Sequence, residues 1–316
     1  MFRKLAKPNV KWITLIFFLI FSPLAALISD HALAAMFLPI GILLYENSLT
    51  PDTREDPELA KLLMIAIAMA CNLGGPGAPS GGARNVIMMT YLNDMFGFDI
   101  GYFQWVTYCF PFVIVMIPVG WFMVNFRFKP QIHSLAPAMK HLRSEIDRMG
   151  SWNGYQIVAI VIFFVMVFGW FTEKAFFQMG IYPIRLGIGT IAVAGAVAYI
   201  LAGVVNWRDY QEKVDWGVVW LYAGAIIFGR VLDKTGAAYW LARSVIDFIG
   251  PLGINSGLPL MAASNGLTAI LTNLMADGPA AAAVGPITLN MAGMVHPGTT
   301  YLPFMAMSTA VASSFA

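Results

Sequence analysis

Two aspartates, Asp30 and Asp277, stand out in this sequence of 316 residues because each lies in an otherwise apolar stretch and each opens the same pattern. Both stand nine residues before a Pro-Ile pair, Pro39-Ile40 and Pro286-Ile287, and Ala34 and Ala35 are matched by Ala281 and Ala282 at a constant offset of 247. A carboxylate at membrane depth costs several kcal/mol, so one that recurs in an internal repeat points to ion or substrate chemistry. The same carboxylates can also cap the helices that follow them, Ala32 to Phe37 in one copy and the alanine run after Pro279 in the other. Capping and ion binding are compatible.

A second constellation is the run Gly74-Gly75-Pro76-Gly77-Ala78-Pro79-Ser80-Gly81-Gly82-Ala83-Arg84-Asn85, set inside an apolar stretch over 62–92. So much glycine and proline cannot stay helical, and unwound backbone at membrane depth is tolerated only where it lines a cavity or is buried in protein. Its carbonyls suit a hard cation such as sodium. Arg84 supplies a planar fork of donors that matches a carboxylate or sulfate; it can equally pair with Asp30 or Asp277 or reach outward to solvent.

The elements that must carry these residues are membrane helices. Hydrophobic residues make up 59% of the chain and charged residues 11%, with a mean hydropathy of +0.70, which excludes a water-soluble globular domain. A formal charge of +2 spread thinly along the chain leaves no face for nucleic acid. Cys71 and Cys109 lie in apolar stretches without metal or disulfide spacing and read as buried thiols. Five stretches are long enough to cross a bilayer, near 62–92, 102–125, 155–172, 186–205 and 216–232. The shorter apolar pieces, 12–28, 32–45, 256–275, 279–294 and 299–316, read as arms of helical hairpins that enter and leave on one side.

With the N-terminus cytoplasmic, thirteen Lys and Arg fall inside and four, Lys174, Arg185, Lys234 and Arg243, outside. In that orientation the copy around Asp30 enters from the cytoplasm and the copy around Asp277 from the other side. The fold expected is therefore an all-α membrane protein, an inverted-repeat transporter with two re-entrant helical hairpins and a broken transmembrane helix. A signal peptide built on Arg3, Lys4 and Lys7 is disfavoured, because its apolar segment would not be copied 247 residues later. Leu135, Met139, Leu142, Ile146 and Met149 recur at helical spacing around Lys140, Arg143 and Asp147, as in a helix lying in the interface. That linker divides the chain into a first repeat over 1–126, a cytoplasmic linker over 127–153 and a second repeat over 154–316.

Enzyme readings fare poorly. Asp233-Lys234-Thr235-Gly236 matches the core of a phosphorylation motif, but it stands at a membrane boundary and no phosphate-binding GxxxxGK[ST] loop occurs. Two membrane carboxylates could form an aspartyl-protease dyad, but their contexts, Ile-Ser-Asp and Met-Ala-Asp, lack that class's signatures. The chain reads as a transporter, not an enzyme.

These residues resemble the divalent-anion:sodium symporter family, the sodium-coupled dicarboxylate and sulfate transporters. Ser29-Asp30-His31 and Ala276-Asp277-Gly278 stand where that family has Ser-Asn-Thr at its hairpin tips, and Ala78-Pro79-Ser80-Gly81-Gly82-Ala83-Arg84-Asn85 stands at its helix break. Trp216, Gly224, Thr235, Gly236 and Trp240 also fit its pattern before the second hairpin. The departures are Asp for Asn at both tips, Ala276 for Ser, His31 and Gly278 for Thr, and Arg84 for Pro.

The resemblance implies symport of a small divalent anion with sodium as the coupling ion and no other cofactor. It implies a sodium site from Ser29, Asp30, Gly81 and Asn85, a second one including Asp277, and substrate contacts from Ser29, His31, Arg84, Asn85, Asp277 and Gly278 between the tips. It further implies a homodimer whose hairpin domain moves as an elevator, in the inner (plasma) membrane. An Asp at each tip adds negative charge beside an anion, which keeps proton coupling through Asp30, Asp277 and His31 open. An arsenite or sodium/proton exchanger of the wider superfamily is the alternative reading. Because Pro39 precedes Gly74 by 35 residues, a second break is expected near 321, and the family has scaffold helices before its first hairpin; the chain is expected to be a fragment lacking both ends.

Overall fold

The fold was analysed in a computed structural model, which describes residues 9–49, 53–148, 150–181, 183 and 186–315. Arg3, Lys4, Lys7, Met149 and Arg185 lie outside the described residues. Among those described there are fourteen α-helices: α1 Val10–Leu27, α2 Asp30–Glu46, α3 Pro57–Gly74, α4 Ala83–Phe96, α5 Tyr102–Arg127, α6 Ala136–Arg148, α7 Gly154–Gln178, α8 Ile188–Leu201, α9 Trp207–Lys213, α10 Trp216–Lys234, α11 Ala237–Ile249, α12 Gly257–Thr272, α13 Asp277–Val295 and α14 Tyr301–Ala312. Two 3₁₀ turns, Gly75–Gly77 and Pro79–Gly81, separate α3 from α4. The glycine- and proline-rich run thus unwinds the chain where its composition says it must.

Local sequence explains where the helices begin. Side chains of Asn9, Asp56, Asn206 and Asp215 accept backbone N–H bonds at the starts of α1, α3, α9 and α10, and Asn153 with Gln156 forms a capping box on α7. Gly97, at φ +71°, ends α4 in the left-handed region that a side chain would resist.

Five helices are long and apolar enough to cross a membrane: α1, the segment Pro57–Gly77, α5, α7 and α10. This corrects two expectations. The stretch over 186–205 yields α8, of only 14 residues, because the helix ends at Leu201 in a turn with Gly203 at φ +69°, although the apolar run goes on to Val205. The hairpin arm over 12–28 becomes α1, of 18 residues, roughly 27 Å long and itself of spanning length.

The repeat is carried into the elements. An offset of 247 takes Val10, the first residue of α1, onto Gly257, the first of α12, and Asp30, the first of α2, onto Asp277, the first of α13. The Pro-Ile pairs do not end their helices: Pro39 and Pro286 lie inside α2 and α13, which continue to Glu46 and Val295.

The chain forms two compact units that interleave along the sequence, Met1–Gly81 with Tyr108–Trp152, and Gly82–Thr107 with Asn153–Ala316. In the first, α3 packs against both arms of the first hairpin, α1 and α2. Phe17, Phe18 and Phe21 of α1 meet Leu62, Leu63, Ala66 and Ile67 of α3 in its core, and Phe21 stacks on Phe37 with centroids 4.2 Å apart. The interfacial helix expected after the second long stretch is α6; its Ala138 and Met139 are buried, and it packs against α2. Cys71 is a buried free thiol of this unit, as is Cys109.

In the second unit α13 is the central helix, in contact with α4, α10, α11, α12 and α14. Its run of alanines and Gly285 lets neighbouring backbones come close, as small residues do in membrane bundles. The Tyr91 hydroxyl of α4 lies 3.2 Å from the carbonyl oxygens of both Ile226 on α10 and Ala282 on α13, sharing its hydrogen between them. This crossing fixes α4 against α13. A Cβ on Gly285 would come within 2.7 Å of Met88 Sδ and 3.0 Å of the Tyr91 ring. Gly285→Val is therefore expected to cost about 1–3 kcal/mol by overpacking, read as a lower unfolding temperature in detergent. Gly189→Ala, on α8 with open space around it, is the control and should be neutral or slightly stabilising.

Candidate functional site

The eight residues singled out as site residues divide evenly between the two units. In the first unit, Asp30 is the opening residue of α2 and not the cap before it, and its side chain is 3% exposed. Its Oδ1 accepts the backbone N–H of His31 at 2.8 Å and the His31 ring Nδ1–H at 2.7 Å. His31 itself is 69% exposed, so the pair has one buried and one accessible member. Ser29 precedes them, exposed, and its hydroxyl makes no capping bond.

The broken segment folds onto the end of the first hairpin arm. Ser22 donates its hydroxyl to Ala70 O at 2.7 Å, and Ser80 donates to Ala26 O at 3.2 Å. Gly81 is buried where a Cβ would come within 2.7 Å of Ala25 O. The break therefore requires glycine for a backbone-to-backbone approach on the last turn of α1. Asp30 and His31 border a cleft of about 430 Å³ whose other walls include Ala34 of α2 and Met69, Cys71 and Asn72 of α3. A carboxylate, an imidazole and an amide at the rim of an otherwise mostly apolar cleft offer the ligand types that a small cation or a proton takes.

In the second unit, Arg84 lies in the first turn of α4, 1% exposed, and its Nη1–H donates to Asp277 Oδ2. Asp277, 11% exposed, opens α13 and accepts the backbone N–H of Gly278 on Oδ1 at 2.7 Å. Asp277 thus repeats the local geometry of Asp30: a first-residue carboxylate folded back onto the next N–H. Its cationic partner differs, a guanidinium from another helix in place of an adjacent imidazole. Gly278 lies under the Tyr222 ring with no room for a Cβ, and Asn85 is fully buried, its backbone N–H bonded to Gly82 O at 3.1 Å.

The electrostatics of the Arg84 pair are one-sided. The positive end of a helix favours anions and disfavours cations, so Asp277 is well placed at the start of α13 and Arg84 is badly placed at the start of α4. A buried guanidinium there needs an anion. Its planar fork of N–H donors has the shape that carboxylate and sulfate groups match.

Two polar features went unread in the sequence. Glu173 is buried on α7, next to Lys174, whose Nζ donates to Asp99 O at 2.7 Å. Glu173 and Lys174 follow the apolar stretch over 155–172, and only tertiary packing buries the first of them. Asn72 lines the cleft beside Asp30; as the last polar residue before the glycine run it carried a signal that the repeat pattern does not include.

The family profile described as citrate transporter (CitMHS) matches residues 2–312. An uncharacterized transporter of Haemophilus influenzae is 27% identical over 251 residues, covering 78% of this chain and 51% of that protein. The sodium-dependent dicarboxylate transporter SdcS of Staphylococcus saprophyticus is 24% identical over 298 residues, covering 89% and 56%, and SdcS of Staphylococcus aureus is 22% identical over 241 residues, covering 72% and 46%. The chain spans about half the length of the curated relatives it matches.

Proposed function

This chain belongs to the citrate transporter family of multi-pass membrane transporters, and from that premise we propose that it moves a small carboxylate dianion or trianion across the membrane in symport with sodium. The observation that carries the anion half is the buried Arg84 guanidinium, held by a carboxylate at the start of two helices. Arg84, Asn85 and Gly278 are the proposed anion contacts, with Asp277 modulating them. The cation half rests on Ser29, Asp30, His31 and Gly81 of the first unit, where a buried carboxylate and an unwound backbone offer hard oxygen ligands. The sodium and dicarboxylate assignments draw support from the names of the relatives in Staphylococcus.

The protein is proposed to sit in the plasma (inner) membrane with its N-terminal side cytoplasmic and its hairpins inverted, a reading that counts the apolar stretch over 186–205, which holds the short helix α8, as a crossing and so has thirteen Lys and Arg inside against four outside. A homodimer with elevator-like motion is part of this reading. The test is uptake of radiolabelled succinate, citrate and sulfate into proteoliposomes containing the product of the complete gene, under an imposed sodium gradient or an imposed pH gradient. Saturable, sodium-driven uptake of a carboxylate is the expected result. Uptake driven only by a pH gradient would assign coupling to protons at Asp30 and His31, and sulfate uptake alone would change the substrate. No uptake of any of the three would overturn symport and favour an exchanger of arsenite or of sodium against protons.

A further inference from the structure

In the first unit the start of α1, the end of α5 and the loop that leads from α5 to α6 enclose a pocket of about 600 Å³. Asn9, Lys11, Asn125, Phe128, Lys129 and His133 are among the residues that line it, and no carboxylate side chain is. α1 begins at Val10 and α5 ends at Arg127, and both are of membrane-spanning length, so the pocket stands where the chain leaves the bilayer. Within two turns back along α5, Phe122, Met123 and Phe126 are 62%, 54% and 70% exposed, and the two phenyl rings stack with centroids 5.9 Å apart. A cationic recess at the membrane surface beside an exposed apolar strip matches the two-part chemistry of a phospholipid. We propose that this pocket seats the phosphate of an anionic phospholipid headgroup, with the acyl chains along Phe122, Met123 and Phe126.

The neighbouring charges are already answered. Arg127, in the last turn of α5, meets the negative pole of its own helix, and its guanidinium lies over the Phe128 ring, 5.3 Å from the centroid. Asp56 is buried and accepts the Leu59 N–H on Oδ1 at 3.1 Å and the N–H groups of Gln131 and Ile132 on Oδ2 at 2.8 and 2.9 Å. Glu58 pairs with Lys61 at 3.0 Å. Lys11 and Lys129 are exposed and stand in no ion pair among the described residues, so the pocket carries two ammonium groups that an incoming phosphate can satisfy. The start of α1 adds the positive pole of a helix on the same side. The walls are held by bonds that do not involve the ammonium groups. Val10 N–H donates to His133 O at 3.1 Å, Trp121 Nε1–H to Lys11 O at 2.9 Å and Asn125 Nδ2–H to Thr14 Oγ1 at 3.1 Å. Neutralising the lysines therefore removes charge from a framework that persists. A headgroup bound to both lysines fastens the start of α1 to the end of α5, whatever the transporter carries.

The test uses the product of the complete gene, delipidated in a neutral detergent, with unfolding temperature followed as phosphatidylglycerol, phosphatidylcholine or glycerol 3-phosphate is added. The expected result is a saturable rise with phosphatidylglycerol, and little or none with the other two, because a ligand that binds only the folded state raises its stability. In the double variant Lys11→Gln with Lys129→Gln, apparent affinity for phosphatidylglycerol should be about 30-fold weaker, the factor that about 1 kcal/mol for each lysine gives at 1.4 kcal/mol per factor of ten. Each single variant should lose about fivefold on the same footing, so the singles remain decisive if the double variant proves unstable. Lys11→Arg with Lys129→Arg should bind like wild type. Lys140→Gln with Lys213→Gln makes the same change of net charge at exposed positions outside the pocket and should leave the affinity unchanged. Equal stabilisation by phosphatidylglycerol and phosphatidylcholine would overturn the proposal, as would a loss of affinity in the control variant matching that of the pocket variant. Stabilisation by glycerol 3-phosphate as strong as that by phosphatidylglycerol would overturn the lipid assignment and make the ligand a soluble phosphate. None of these readouts requires a transported substrate, so failure here is distinct from failure of the transport reading.

Discussion

Arg84→Gln is expected to weaken carboxylate binding by about 30- to 4,000-fold, the range that follows from losing a buried charged partner worth roughly 2–5 kcal/mol at 1.4 kcal/mol per factor of ten. The effect should be this large because Arg84 is 1% exposed and no other cation contacts Asp277 within its unit among the described residues. Membrane insertion should be unaffected, since insertion responds to the apolar helices and not to one neutralised side chain. The single variant leaves Asp277 without its counter-charge, so its unfolding temperature should fall, and the double variant Arg84→Gln with Asp277→Asn should recover it. Arg84→Lys separates charge from shape. It retains the positive charge and loses the fork, and the expected loss is intermediate, about tenfold in apparent KM with little change in maximal rate. An unchanged KM in Arg84→Lys would move the residue from substrate contact to structural partner. Binding by calorimetry and uptake kinetics in proteoliposomes together distinguish the two.

Asp30→Asn is expected to remove the sodium-dependent part of uptake altogether while leaving carboxylate binding without sodium in place. Asp30 is the buried carboxylate of the first unit, and the cleft it borders offers Asn72 and His31 as its polar companions. Asparagine keeps the size and an oxygen to accept the His31 N–H, so the start of α2 is preserved and the charge alone is tested. The readout is uptake as a function of sodium concentration, with correct insertion checked by accessibility of Trp152 in the exposed segment before α7 to a collisional quencher. Sodium dependence surviving in Asp30→Asn would remove the first unit from the cation site.

Much of the fold was legible because membrane helices announce themselves by length and apolarity, and four of the five stretches expected to span hold helices long and apolar enough to do so. The break at Gly74 to Gly82 was legible because backbone conformation there depends on residue type alone. The repeat was legible from two aspartates and two Pro-Ile pairs, and the helices it predicts begin at matched residues. What the sequence hid is of one kind. Whether an apolar run of 14 or 18 residues becomes a full span depends on where the chain turns, and neither Leu201 nor Leu27 differs enough from its neighbours to say. Arg84 had three open partners in the sequence, and its pairing with Asp277 rests on α4 packing on α13, a contact across 193 residues that no local pattern encodes. The grouping of Gly82–Thr107 with the C-terminal half has the same origin: it follows from Tyr91 on Ala282 and Met88 under Gly285, not from the linker at 127–153.

That long-range pairing has a consequence during synthesis. At roughly 5–20 residues per second, the 193 residues between Arg84 and Asp277 take the ribosome about 10–40 s. For that interval a nascent chain with its first helices in the bilayer holds Arg84 without the Asp277 side of this ion pair. The bond between Arg84 and Asp277, and the packing of α4 on α13, can form only once α13 has been made. Maturation of this protein therefore has a late step, the closing of an ion pair, timed by translation and not by the hydrophobicity of the helix that carries the charge.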